Sequence, residues 1–332
     1  MRAVRMVGPG QLEMANVPEP ERGSDMLIRP STVGLCGTDV KILGGKIPVS
    51  LPRVLGHEVV GEVVDAPSGS SFSVGDRVLV DPATSCGQCE LCHAGRTNIC
   101  LAGGLLGRDQ DGVFADLIAI DEAKLVPVPD SVSDDAAGLL QVLGTCVHAL
   151  GFLDAIPGRA AAVIGLGVGG QLIAQLLTLA GMSVVGITRS GWKRDLAEEV
   201  GVAATATPDS AGQVLDEMTG GVGPKIVVEA VGKEETLSRA ISLVATGGQV
   251  LVFGTLIGGG IGLPYYQLYH KELTVFNPRA AVIDDYVEAV RLAASRSLRL
   301  EHLITDRLSL DESPEAFTRV GEPDSLKVLM SV

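Results

Sequence analysis

The chain has 332 residues, 46% of them apolar, 20% charged and 3% aromatic, and its 26 Lys and Arg against 40 Asp and Glu give a formal charge of −14. That length suits two domains rather than one, and the composition is that of a packed core and not of a disordered chain. The negative charge repels phosphate backbones and anionic lipid, which sets aside nucleic-acid or membrane binding as the main task; without a leader pattern or an 18-residue apolar run, the expectation is a cytoplasmic protein.

In chain order, short apolar runs punctuated by glycine and proline come first: MLIRPSTVGLC from Met26, VVGEVVDA from Val59, DRVLVDPA from Asp76 and FADLIAI from Phe114. They read as strands of a β-rich domain. Near residue 155 the rhythm changes. The strand pattern AAVIG at Ala161 is followed by the helix pattern QLIAQLLTLAG, then by SVVGIT and KRDLAEEVG, and later by KIVVEA, LSRAISLVAT and GQVLVFG. Alternating strands and helices predict a parallel sheet with crossover helices. A longer helix, IDDYVEAVRLAAS, and a strand-like KVLMSV from Lys327 complete the series.

Four of the six cysteines, Cys86, Cys89, Cys92 and Cys100, fall in the segment CGQCELCHAGRTNIC. In a reducing compartment this spacing reads as a tetrahedral thiolate zinc site, with two disulfides as the competing reading. Four thiolates close the coordination shell, so such a metal would hold a loop and do no chemistry.

The sequence GLGVGG places Gly165, Gly167 and Gly170 after an apolar strand and before a helix that begins near Val168. This arrangement suits a dinucleotide: a tight turn, close backbone approach to the pyrophosphate, and a helix N-terminus facing its charge. At the end of the next strand, NAD enzymes carry an acid for the ribose hydroxyls. Here stand Thr188, Arg189 and Ser190, with Lys193 and Arg194 behind them. Hydroxyls and a guanidinium suit a 2′-phosphate, so NADP is favoured over NAD; a solvated basic turn is the plain alternative.

A third set is scattered: GLCGTD with Cys36, Thr38 and Asp39, GHEVVGEVV with His57 and Glu58, and LLQVLGTCVHAL with Gln141. Singly, each has a bland reading as a core thiol, a bonded histidine or a strand residue. Together, and in this order with the cysteine lobe and glycine turn, they resemble the zinc-dependent medium-chain dehydrogenase/reductase family of alcohol, sorbitol and threonine dehydrogenases. The resemblance covers nearly the whole chain. It implies a GroES-like β-rich catalytic domain, residues 1–150 and 278–332, carrying the zinc lobe at 86–100, and a Rossmann domain over 151–277, with the active site in the cleft. It implies two zinc ions per chain, one of them catalytic and held by Cys36 and His57, with Glu58 binding the metal or exchanging with its water. Thr38 would relay the substrate proton, and Asp39 would orient His57. Homodimer or homotetramer assembly through the Rossmann domain is expected by analogy.

Two departures from the family pattern stand out. The third-ligand position, usually cysteine, aspartate or glutamate, falls on Gln141, whose amide oxygen is a neutral and weaker ligand. Lys41 stands where many relatives place a proton-carrying histidine. Cys146 and His148 read as core residues of a helix packing near the cofactor, and Lys46, Arg53 and Arg108 as either anion contacts or solvated charges. The expected function is reversible oxidation of a polyol, sugar, cyclitol or related secondary alcohol with NADP. A metal-free enoyl or quinone reductase and a non-catalytic NADPH-binding protein are the alternatives.

Overall fold

The inward positions of the early strands are apolar and buried, Val4, Ile28, Val33, Val60 and Val63 among them, and their burial explains the pairing. A computed structural model describes residues 1–21, 23–256 and 262–332. It divides into two compact units, one of residues 1–145, 280–296 and 300–332, the other of residues 146–279 and 297–299. The strand and helix patterns change near residue 155, and the family resemblance implies bounds at 150 and 278; the units divide at 145 and 279.

In the first unit, Met26–Gly34 is the central strand of a seven-stranded sheet. It pairs antiparallel with Glu58–Asp65 on one side and with Lys327–Ser331 on the other, while Ile118–Ile120 also pairs with its first residues. Arg77–Val80, Leu125–Pro127 and Ile304–Ser309 complete the sheet. The sequence reading of a strand from Phe114 is too long: only Ile118–Ile120 is strand, and Ala115 forms an isolated bridge to Ala3. Phe114 turns inward instead, fully buried and edge-on to Phe317 with ring centroids 6.3 Å apart. The core it joins includes Val4, Met26, Ile28, Val63 and Met330. Burial of this kind stabilises by about 25 cal/mol per Å² of apolar surface, which is what holds a strand at residues 327–331 against one at 26–34.

The second unit holds a six-stranded, wholly parallel sheet. Its order is Ala204–Ala206, Ser183–Ile187, Ala160–Ile164, Ile226–Glu229, Gln249–Val252 and Thr274–Phe276, that is 3-2-1-4-5-6 in order of appearance. The reversal of strand order falls between Ala160–Ile164 and Ile226–Glu229, the crevice where ligands of doubly wound sheets bind. Strands and helices fall where alternation predicted them. Among the described residues no helix is long and apolar enough to cross a membrane.

Candidate active site

The metal-ligating groups of the first unit grow from the central strand. Cys36 follows Met26–Gly34 and caps the short helix Gly37–Leu43, which carries the half-buried Thr38 and the fully buried Asp39. One oxygen of Asp39 accepts the Cys36 backbone N–H at 3.0 Å. Its other oxygen lies 3.2 Å from Nδ1 of His57, a close electrostatic contact without the alignment of a full hydrogen bond. Burial works against a charged imidazole at His57, but the Asp39 carboxylate and the Cys36 thiol outweigh it and hold the pKa well above its ordinary value. With Nδ1 turned to Asp39, Nε2 is the nitrogen left for a metal.

Glu58 opens the next strand and pairs with Gly34 in register. Cys36, His57 and Glu58 offer ligand atoms that all lie within 4.8 Å of one another. Sequence reading missed Lys327, which is 2% exposed: its ammonium donates to Glu58 Oε2 in a buried ion pair and to the Leu35 carbonyl at 3.2 Å. Gly34 makes room, since a Cβ there would collide with both the Glu58 carboxylate and the Lys327 ammonium. A soft sulfur, an imidazole and a carboxylate suit zinc. The charges fit as well. With Cys36 as thiolate and His57 neutral, as a metal ligand must be, the site would carry three negative charges on Cys36, Asp39 and Glu58 against one positive on Lys327, a balance that a divalent ion would neutralise.

Gln141, 7% exposed, sits in the first turn of the helix Leu140–Leu150. Its Nε2 donates to the hydroxyl of Tyr286 at 3.3 Å. Tyr286, on the helix Ile283–Ala294, is a second residue that sequence reading passed over. Burial pushes its phenol well above the usual range; Asp81, Asp285 and Glu58 push the same way and the Gln141 hydrogen bond opposes them, so the ring stays neutral within electrostatic range of Glu58.

The four-cysteine lobe brings Cys86, Cys89, Cys92 and Cys100 together. Sγ separations are 3.5 Å for Cys89–Cys92, 3.8 Å for Cys89–Cys100 and 3.4 Å for Cys86–Cys100. No cysteine is in a disulfide, and sulfurs bonded to one tetrahedral zinc at about 2.3 Å would stand about 3.8 Å apart. Backbone N–H groups of Leu101 and Cys92 draw the Cys89 thiol down to about 6, whereas burial and neighbouring sulfurs push Cys92 up to about 11. Thiols this close could all ionise only with a cation among them, and the donor set fits zinc.

In the second unit the glycine turn leaves the strand Ala160–Ile164 at the sheet's reversal point. Gly165 has φ +97°, a conformation few other residues adopt, and a Cβ on Gly170 would overlap the Gly165 carbonyl oxygen. Gly167 caps the helix Val168–Leu179 and has no heavy atom within 4 Å of a built Cβ, so a ligand's phosphates have room against the backbone. Glu229, buried at the end of the neighbouring strand, accepts N–H bonds from Val231 and Gly232 and the Thr236 hydroxyl, and so shapes the turn that packs on Gly165. At the next strand's end Arg189 is exposed and Thr188 and Ser190 are half-buried. Arg194 is engaged with the Thr188 and Arg189 carbonyls at 2.9 and 3.2 Å, and Gln171 donates to the Lys193 carbonyl at 2.9 Å. These bonds fix the loop and leave Arg189 as the outward guanidinium. Burial lowers the pKa of Lys193. Cys146 is buried with Sγ 3.8 Å from the Gly169 carbonyl, and His148 packs edge-on to Phe152.

Two of the three cations offered as anion contacts are already paired. Arg53 meets Asp111 at 3.1 Å and Arg108 meets Asp109 at 2.6 Å, while Lys46 is exposed.

Residues 22–130 match the alcohol dehydrogenase GroES-like domain, and residues 167–295 match the zinc-binding dehydrogenase domain. The chain belongs to the zinc-dependent medium-chain dehydrogenase/reductase family. A sorbitol dehydrogenase of Halalkalibacterium halodurans is 29% identical over 331 residues, 98% of this chain and 96% of the relative. L-galactonate-5-dehydrogenase of Escherichia coli is 29% identical over 89% of this chain and 88% of its own. Among solved structures, a protein described as a zinc-binding dehydrogenase from Sinorhizobium meliloti 1021, bound to NADP, superposes with a TM-score of 0.92 at 33% identity, covering 100% of this chain and 99% of that one. The first unit is thus the family's GroES-like domain and the second its Rossmann domain. Family patterning pointed to Cys36, His57 and Glu58, whereas Lys327 and Tyr286 lie in segments without a motif and become visible only when the strands pair.

Proposed function

We propose that this chain is a zinc-dependent dehydrogenase that transfers a hydride between a secondary alcohol of the polyol or sugar type and NADP. The observation that carries the reading is the convergence of Cys36, His57 and Glu58 on one point, with Asp39 behind His57 and Lys327 behind Glu58. Cys36, His57, Glu58 and Gln141 would hold the catalytic ion, and Cys86, Cys89, Cys92 and Cys100 a structural one. A bound zinc supplies Lewis acidity, lowering the pKa of an alcohol oxygen. Asp39 would fix the His57 ring, Thr38 Oγ1 would accept the alcohol proton while handing on its own, and Lys41 in its neutral form, a ribose hydroxyl or water would carry that proton to solvent. Gln141, being neutral, leaves the ion more electron-poor than a carboxylate would and suits a substrate whose neighbouring hydroxyls complete the shell. Polyol or sugar acid names among the relatives agree with this class.

For the cofactor, Gly165, Gly167, Val168 and Gly170 would cradle the pyrophosphate, and Thr188, Arg189, Ser190 and Lys193 the 2′-phosphate. The NADP-bound relative agrees, and no carboxylate stands at this strand end to bind the NAD ribose. A charge-assisted bond to phosphate contributes roughly 1.5–3 kcal/mol, so Arg189→Ala should weaken NADP about tenfold or more and leave NAD unchanged. Wild-type protein that used NAD more efficiently than NADP would overturn the assignment.

The deciding experiment is a screen of alcohols and ketones with both cofactors, before and after chelation. Polyol oxidation lost on chelation supports the reading. Reductase activity that survives chelation would make the chain a metal-free reductase, and NADPH binding without turnover a binding protein. We further propose assembly with a second copy through the Rossmann domain. Its outermost strand Thr274–Phe276 ends the sheet, Val275 is exposed, and Tyr265, Tyr266 and Tyr269 stand out to solvent on a nearby stretch. A monomer by light scattering at micromolar concentration would rule this out.

A further inference from the structure

Gln141 differs from the usual third ligand in one respect beyond charge: its two ends are unlike. A carboxylate presents a lone-pair oxygen whichever way it turns, whereas an amide has one oxygen that can ligate a cation and one NH₂ that only donates. In a helical side chain the two orientations differ by a half-turn about the last torsion, and that torsion is broad. Something must choose between them if the amide is to serve a metal.

The structure contains a group that holds one of the two orientations: a phenol can donate or accept, and here it accepts from the NH₂ end, the arrangement compatible with the oxygen facing a cation. Gln141 and Gly144 lie three residues apart on one helix, hence on one face. The Tyr286 ring lies against Gly144, where a Cβ would collide with it, and its hydroxyl meets Gln141 Nε2 at 3.3 Å. Tyr286 is fully buried, so water is not the natural partner for its hydroxyl. Among the described residues, the amide oxygen has no hydrogen-bond donor, and the phenol lies within electrostatic range of Glu58, a member of the ligand cluster.

We propose that Tyr286 is a positioning residue that sets the orientation of the Gln141 amide: by accepting its NH₂, the phenol leaves the carbonyl oxygen as the end available to the catalytic metal. The inference rests on the reading of Gln141 as a ligand. Gly144 serves it indirectly, as the gap that lets the ring approach. A carboxylate at position 141 would need no such partner, and the pairing of an amide with a buried phenol is the arrangement by which this chain does without one.

The test is zinc release from the zinc-loaded protein to an excess of a chromogenic chelator, with the four-cysteine site as internal reference. Tyr286→Phe keeps the ring against Gly144 and removes the acceptor, so release from the catalytic site should quicken severalfold while the reference phase and the melting temperature stay close to wild type. In a Gln141→Glu background, where both oxygens ligate, adding Tyr286→Phe should change release by less than twofold. Equal acceleration in both backgrounds, or none in the wild-type background, would overturn the orienting role. Gln141→Ala separates the two readings. If it leaves release unchanged, Gln141 is no ligand and both readings fall; if it quickens release while Tyr286→Phe does not, only the orienting role falls.

Discussion

The two metal-ligand clusters of the GroES-like domain are built on opposite plans. The lobe gathers four like groups from fifteen consecutive residues, Cys86 to Cys100, in a loop whose turns are local. The other cluster gathers unlike groups from strand ends: Cys36 beyond one strand, His57 and Glu58 at the start of its neighbour, and Lys327 at the start of a third. The first has every donor a thiol and leaves no position for a substrate. The second has three ligand atoms, buried partners for His57 and Glu58, and, at the family's third-ligand position, only the neutral Gln141. The difference teaches that coordination chemistry follows support: a closed site needs only a flexible loop, whereas an open site depends on a rigid sheet to hold its ligands when one position is vacated for chemistry.

Changes at each cluster should therefore show in different measurements. The largest effect is expected for His57→Ala, which should lower kcat/KM by roughly a thousandfold or more and lower zinc content by one equivalent per chain, with little change in melting temperature. Turnover near wild type would dissolve the distinction at once. Cys89→Ser should do the reverse, costing about 3 kcal/mol of stability and lowering the melting temperature by about 10 °C, read by calorimetry with zinc content in parallel. A variant that kept its zinc and stability but lost turnover would exchange the two assignments. Asp39→Asn leaves every ligand in place and withdraws only the charge behind His57. It should weaken zinc retention or turnover about 10- to 100-fold, the range for groups that orient a ligand. The smallest effect is sharpest in kind: Gln141→Glu should slow zinc release severalfold while lowering kcat or shifting its pH profile upward, because added negative charge makes the ion a poorer Lewis acid. Unchanged release and an unchanged profile would place Gln141 outside the metal's influence.

How much of this was legible in the amino-acid sequence depended on sequence distance. The cysteine lobe and the glycine turn declare themselves because their geometry is fixed within fifteen residues and within six. The alternation of strands and helices was equally local, and the parallel sheet followed from it. Cys36, His57 and Glu58 carry no such spacing and were recognised by resemblance. Lys327 and Tyr286 gave no signal, one reading as the start of an apolar strand and the other as the inner face of a helix. Their partners, Glu58 and Gln141, lie 269 and 145 residues away. The long strand expected from Phe114 failed for a related reason, since alternation cannot tell a strand from a loop whose apolar side chains are claimed by a core.

The pairing of Lys327–Ser331 with Met26–Gly34 also orders events in time. Residues 146–279 form the Rossmann domain almost without interruption, so during synthesis that domain can fold as soon as it has emerged. The GroES-like domain cannot finish until residue 331 follows, because a strand of its central sheet and the counter-charge of Glu58 arrive last. Without residues 327–331 one edge of Met26–Gly34 has no partner strand and the Glu58 carboxylate lacks its ammonium. A metal ion held by Cys36, His57 and Glu58 would thereby gain its complete setting late in biogenesis, after the lobe, whose four cysteines are complete by Cys100.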